Sequence, residues 1–279
     1  MEKEEYYPSI NGAIKLLAVY VLLSPIIPLL LLFIMSKLIG FSNDNPLIYS
    51  IETISSFFLL ILWINRKHRI NFKSLFSLEK LSIRYILPIC LSILGLNIML
   101  SEVSNILTMF LPLTDFWKSA FEGISNDFIG TSIVAPIIEE ILFRGIILRG
   151  LLMKYSVKKS IIVSALLFAI IHMNPWQFLG AFSAGILLGW LYLKTRSIVP
   201  CILGHALNNS LEFIITLVGL NIPGFSNSNN IIEHQPIAFD LLGVILLVTG
   251  VMWLIKLFNK QQLRFTSKVS SSGERNLLG

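Results

Sequence analysis

The sequence predicts an all-α, polytopic membrane protein of about eight transmembrane helices, with both termini in the cytoplasm. Three observations predict this. Of its 279 residues, 54% are hydrophobic and only 14% charged, against about 25% charged in a typical soluble domain. Apolar runs of about 18 residues or more recur along the whole length, each enough for a helix to cross a ~30 Å hydrocarbon core. Finally, loop charge alternates. Of the 22 Lys and Arg, 19 fall on one side, Lys37 and Lys118 on the other, and Arg144 lies inside a span. The crowded side is cytoplasmic by the positive-inside rule.

The spans are expected at 14–39, 47–65, 83–111, 128–152, 160–174, 176–193, 198–219 and 238–258. The first follows an acidic segment, MEKEEYYPSINGAIK, with no basic start and no clear cleavage site. It is therefore expected to be retained rather than removed as a leader. Between the second and third lie Arg66, Lys67, Arg69, Lys73, Lys80 and Arg84, the most basic connection. The fifth span is short and ends at Asn174-Pro175. Proline cannot continue a helix there, so spans five and six should reverse tightly within the membrane. Span six carries Ala181, Gly185 and Gly189 at four-residue spacing, which permits close helix approach.

This divides the chain into a three-span region (1–127), a core (128–219), an external loop and last span (220–260) and a polar, Ser-rich, mobile cytoplasmic tail (261–279). The external loop contains NSNN. No internal repeat is present. Cys90 and Cys201 both lie in spans, without metal spacing, and read as small apolar fillers. The net charge of +6 is explained by topology and by attraction to anionic lipid. No aromatic-basic module points to nucleic acid.

Function is carried by charge where charge is costly. The fourth span reads IVAPIIEEILFRGIILRG and holds Glu139, Glu140 and Arg144. Each ionised group at that depth costs several kcal/mol unless paired or put to use. Glu140 and Arg144 stand at i and i+4 and can pair. Glu139 is turned about 100° away, free to face another site. Two carboxylates in different environments are a common acid/base arrangement. Pro136 should kink the helix beside them. Phe168 and His172 share a face of the fifth span, and His205, Asn209 and Glu212 line one face of the seventh. At ~1.5 Å per residue, Glu139 lies about 17 Å from the outer end of its span and His172 about 18 Å from the inner end of its own. His205 lies about 10 Å from its inner end. A free carboxylate, two histidines and an amide could thus converge. These are parts for amide hydrolysis: a base for water and donors for an oxyanion.

The ordered set Glu139-Glu140-x-x-x-Arg144, Phe168-x-x-x-His172 and His205-x-x-x-Asn209 resembles the CPBP family, which includes CAAX prenyl endopeptidases and bacteriocin-processing (Abi) membrane proteins. The resemblance covers about residues 128–219. It implies an eight-helix intramembrane endopeptidase acting on a peptide or lipidated peptide. It assigns water activation to Glu139 and His172, the oxyanion site to His205 and Asn209, and support to Glu140 and Arg144, with Phe168 in the motif. A His₂Glu zinc site from Glu139, His172 and His205 is the alternative. The absence of H-E-x-x-H and of a further carboxylate base favours metal-free glutamate catalysis. Two other readings stay open from the residues: a membrane immunity or regulatory protein that binds a peptide in the same cavity, and a proton-coupled transporter. The compact loops point to a bacterial plasma membrane.

Overall fold

A computed structural model describes residues 8–39, 48–68, 82–112, 127–225 and 233–275. Among these residues there are eight helices and no strand. They are α1 (Ile10–Ile39), α2 (Ile48–His68), α3 (Ile83–Phe110), α4 (128–154), α5 (Val157–Ile171), α6 (Pro175–Thr195), α7 (Val199–Val218) and α8 (Ile237–Arg275). Each expected span is a helix. The chain is a multi-pass membrane protein.

Among the described residues, α3, α6, α7 and residues Ile237–Gln261 of α8 are long and apolar enough to cross a membrane. The helices that carry the acidic pair and His172 are different. Glu139, Glu140 and Arg144 interrupt the apolar run of α4, and α5 has only 15 residues. The second half of α4 lies in the interior. All eight residues from Ile141 to Leu148 are buried, as expected of a helix that is apolar on every side.

Two apolar clusters meet on α4. One joins Leu16 of α1, Leu60 and Ile64 of α2 and Phe168 of α5 to Leu142, Phe143, Ile146 and Ile147. The other joins Ile89 and Ile93 of α3, Leu188 and Leu191 of α6, Cys201 of α7 and Leu254 of α8 to Ile141 and Leu148. Cys201 thus packs as expected, and its thiol donates to the Leu188 carbonyl at 3.2 Å.

The reversal between α5 and α6 forms as the sequence predicts. Met173 takes a left-handed φ of 49°. Asn174 then caps α6, its side-chain oxygen accepting from the Trp176 and Gln177 backbone N–H groups at 3.0 and 3.4 Å. Pro175 opens the helix, where its missing donor costs nothing. The small residues of α6 let it lie against α5, since a Cβ on Gly185 would come within 2.9 Å of Ala165.

The described ends of the α7–α8 connection are fastened to α3. Asn105 donates to the Gly224 carbonyl at 2.7 Å, and Glu102 accepts from the Gln235 N–H at 2.9 Å and pairs with His234. The NSNN segment, the basic residues Arg69, Lys73 and Lys80, Lys3 and Lys118 lie outside the described residues.

One expectation needs correcting. The polar segment from Gln261 does not break from the last span but continues α8 to Arg275. The reason is local: no proline and no glycine occurs between Gly250 and Gly273, so nothing in the chain stops the helix.

α3 and α8 approach each other closely. A Cβ on Gly95 would lie 2.3 Å from the Leu247 backbone nitrogen and 2.6 Å from the Gly243 carbonyl oxygen. Gly95→Val must push the two backbones apart, and we expect a loss of about 1–3 kcal/mol. Unfolding in a mild-detergent–SDS titration checks this; an unchanged midpoint would remove Gly95 from the packing account.

Candidate active site

The site is built on α4, whose backbone alternates between registers. A π-helical turn spans Gly130–Val134, an α-helical segment Ala135–Glu140, and a second π segment Ile141–Leu148. Such π turns are rare and cluster at functional sites. They flank the two glutamates. The kink expected from Pro136 therefore takes the form of a register change, with the Ala135 N–H bonded five residues back to the Gly130 carbonyl.

The outer end of α4 is held by Asp127, which the sequence reading missed. Its carboxylate accepts from the Gly130 N–H at 2.6 Å. It also accepts from the Ser50 N–H and hydroxyl of α2 at 3.1 and 2.8 Å. The run Ser-Asn-Asp ahead of Phe128 is the sequence signal for such a cap.

Glu140 and Arg144 form the expected i,i+4 ion pair at 2.7 Å, and their side chains are 0% and 1% exposed. The guanidinium also donates to the Gly185 carbonyl of α6 at 3.3 Å and lies 4.9 Å over the Phe168 ring of α5. The same Glu140 oxygen receives His205 Nδ1 of α7 at 2.9 Å. One carboxylate oxygen thus links α4 to α7, and Arg144 extends the link to α5 and α6.

Glu139 does not face a separate site, as its rotation suggested. Its Oε2 lies 3.8 Å from His205 Nε2, beyond hydrogen-bond length. His205 stands between the two carboxylates, with one ring nitrogen toward each. A carboxylate on an arginine accepts, so Nδ1 donates to Glu140 and Nε2 is left for Glu139.

His172 is oriented by its own helix. Its Nδ1 lies 2.7 Å from the Phe168 carbonyl, which can only accept, so Nδ1 carries the proton and Nε2 is the free nitrogen. Phe168 sits between the two histidines, edge-on to His172 at 4.9 Å and to His205 at 5.5 Å. That explains its place in the motif. Asn209 donates to the Thr131 carbonyl of α4 at 2.9 Å. Glu212, read as part of the polar face, is exposed. It lies two turns, about 10 Å, beyond His205 along α7 and outside this network.

Glu139 Oε2, Glu140 Oε2, Arg144 Nε and Ser132 Oγ are buried without a hydrogen-bond partner among the described residues. All four belong to α4. An unpaired buried polar atom costs about 1–3 kcal/mol, so this wall is suited to receive a polar group. Among the described residues no group of three or more His, Cys, Asp or Glu side chains is placed to hold a metal ion.

Residues 123–211 match the family model for Rce1-like type II CAAX prenyl endopeptidases. The matched segment is thus similar to the CPBP-type core that the motifs resemble. It encloses Glu139, Glu140, Arg144, Phe168, His172, His205 and Asn209. Over 87 residues the chain is 34% identical to "Putative membrane peptidase YdiL" of Bacillus subtilis (strain 168), a match covering 31% of this chain and 36% of that protein. The chain therefore matches only about a third of the length of this curated relative. No solved structure gives a significant match.

This core should respond very differently to two substitutions. Asp127→Ala removes a cap and is expected to cost about 1–2 kcal/mol. Glu140→Gln leaves Arg144 buried without its counter-charge and is expected to cost about 3–5 kcal/mol. Detergent unfolding curves of the two variants decide it. A smaller loss for Glu140→Gln than for Asp127→Ala would contradict the ion pair's role.

Proposed function

We propose that the chain is an intramembrane endopeptidase that hydrolyses a peptide bond in a membrane-associated substrate, a prenylated or leader peptide. The observation that carries this reading is the position of Glu139. Its carboxylate is 20% exposed and faces His205 at 3.8 Å, while Arg144 is already neutralised by Glu140.

In this reading Glu139 takes a proton from water, with His172 Nε2 orienting the same water. The hydroxyl oxygen adds to the scissile carbonyl carbon, and the carbonyl oxygen becomes an oxyanion. His205, carrying a proton on each ring nitrogen, donates Nε2–H to it, and Asn209 Nδ2, one turn further along α7, donates beside it. The intermediate collapses, the C–N bond breaks, and the proton held by Glu139 passes to the leaving amine. Glu140 and Arg144 fix His205, and Phe168 spaces the two histidines.

We read the chemistry as metal-free. The glutamate not paired with Arg144 is the one needed as base. The setting we propose is a bacterial cytoplasmic membrane.

The test uses cells lacking the gene, complemented with wild type or Glu139→Gln at equal expression. New peptide termini in membrane and secreted fractions are read by mass spectrometry. We expect cleavage to fall by about 10²-fold or more in Glu139→Gln. In purified protein, o-phenanthroline should leave the wild-type rate within about twofold, because zinc ligation plays no part in the scheme. Identical termini from both strains would overturn the endopeptidase reading in favour of peptide binding. Loss of activity with the chelator, restored by zinc, would overturn the metal-free one.

A further inference from the structure

A chain of amides crosses the bundle to the proposed oxyanion donor. Asn97 of α3 donates to the Asn208 side-chain oxygen of α7 at 3.0 Å. Asn208 donates to the Asn209 oxygen at 3.1 Å. Asn209 donates to the Thr131 carbonyl of α4 at 2.9 Å. Asn97 also donates to the Ile93 carbonyl of its own helix at 2.9 Å.

The direction of this chain is forced by its ends. A backbone carbonyl can only accept, so Asn209 must turn its Nδ2 toward Thr131 and its oxygen toward Asn208. Asn208 must then offer Nδ2 to Asn209 and its oxygen to Asn97. Asn97, donating to both Ile93 and Asn208, completes the same sense. No member can flip without placing oxygen against oxygen.

The far end is equally constrained. In the π register the Ala135 N–H goes to Gly130, and the residue that would serve the Thr131 carbonyl five positions on is Pro136, which has no N–H. That carbonyl is freed by the backbone of α4, and Asn209 meets it.

We propose that Asn97 and Asn208 are positioning residues for Asn209: they lock its amide so that one N–H is held by Thr131 and the other is presented to the substrate carbonyl oxygen. This rests on the endopeptidase reading and adds two residues to it. Interhelical glue would need only some hydrogen bond between α3 and α7. Positioning needs this direction.

The test uses purified protein in proteoliposomes and a proteome-derived peptide library with farnesylated and unmodified C-termini. kcat and KM are measured on the best-cleaved peptide for wild type, Asn97→Leu, Asn97→Asp, Asn209→Ala and the double variant Asn97→Leu/Asn209→Ala. Asn97→Asp keeps the volume but, even protonated, cannot donate to Ile93 and Asn208 together, and it serves if the leucine variant misfolds. Misplacing a reacting group costs about 10–100-fold, so each Asn97 variant should lose that factor in kcat with KM within about twofold. Asn209→Ala should lose about 10²–10³-fold. The double variant should be no slower than Asn209→Ala, since Asn97 acts only through that amide. Wild-type kcat in both Asn97 variants, a change in KM alone, or the same further loss in the Asn209→Ala background would overturn the positioning role while leaving the protease intact. A library in which wild type cuts nothing that Glu139→Gln spares would overturn the endopeptidase reading, and this inference with it.

Discussion

The buried pair of Glu140 and Arg144 is the constraint around which the bundle is arranged. A guanidinium in a bilayer interior is tolerated only when its charge is paired. Holding it takes four helices. α4 supplies Glu140, α6 the Gly185 carbonyl, α5 the face of Phe168, and α7 closes the set through His205 on the same Glu140 oxygen. A hydrogen bond to a charged group also has a narrow geometry. The pair therefore fixes how far each helix can slide or rotate, and with it the ring of His205 and the post between the two histidines.

Such closeness has to be permitted by the surrounding backbone. Gly185 leaves α6 against Ala165, so that its carbonyl can reach Arg144, and Gly95 does the same for α3 against α8. The π turns of α4 serve another end. In lipid every backbone group must be satisfied within the protein, yet the Thr131 carbonyl is released by the register change and by Pro136. A helix that gives up an internal bond in that setting needs a side chain to replace it, and Asn209 supplies it. The irregular backbone and the polar side chain are thus one feature seen from two helices.

Much of this was legible in the sequence because it rests on local periodicity. Helix positions follow from apolar runs, and the Glu140–Arg144 pair from i,i+4 spacing. The α5–α6 reversal follows from Asn174-Pro175. What was not legible depends on register and on partners distant in the chain. Glu139 was expected to look elsewhere because a regular step of about 100° separates it from Glu140. That argument could not foresee a histidine lodged between both carboxylates. Asn209 showed itself as a polar position, but its partner is a carbonyl 78 residues away, freed by a π turn that no spacing rule announces. Asp127 left a signal, the Ser-Asn-Asp run, that is weak beside the stronger charges downstream. The helical continuation beyond Gln261 was hidden by polar composition, although composition that ends an apolar span need not end a helix.

The placement of two glutamates side by side has a physical logic. A base in a low-dielectric site must be kept charged without being tied up by the cation that stabilises the charge. A single glutamate paired with Arg144 would be held too firmly to accept a proton from water. Two unpaired glutamates would repel each other. In this site Glu140 takes the guanidinium and one nitrogen of His205, and Glu139 is left beside the other nitrogen. The imidazole between the carboxylates also transmits the pairing: because Glu140 fixes Nδ1 as a donor, Nε2 is aimed into the space that Glu139 faces. An anchored acid, an oriented ring and an uncommitted acid in sequence form a unit in which the first member sets the geometry and the last remains available for proton transfer.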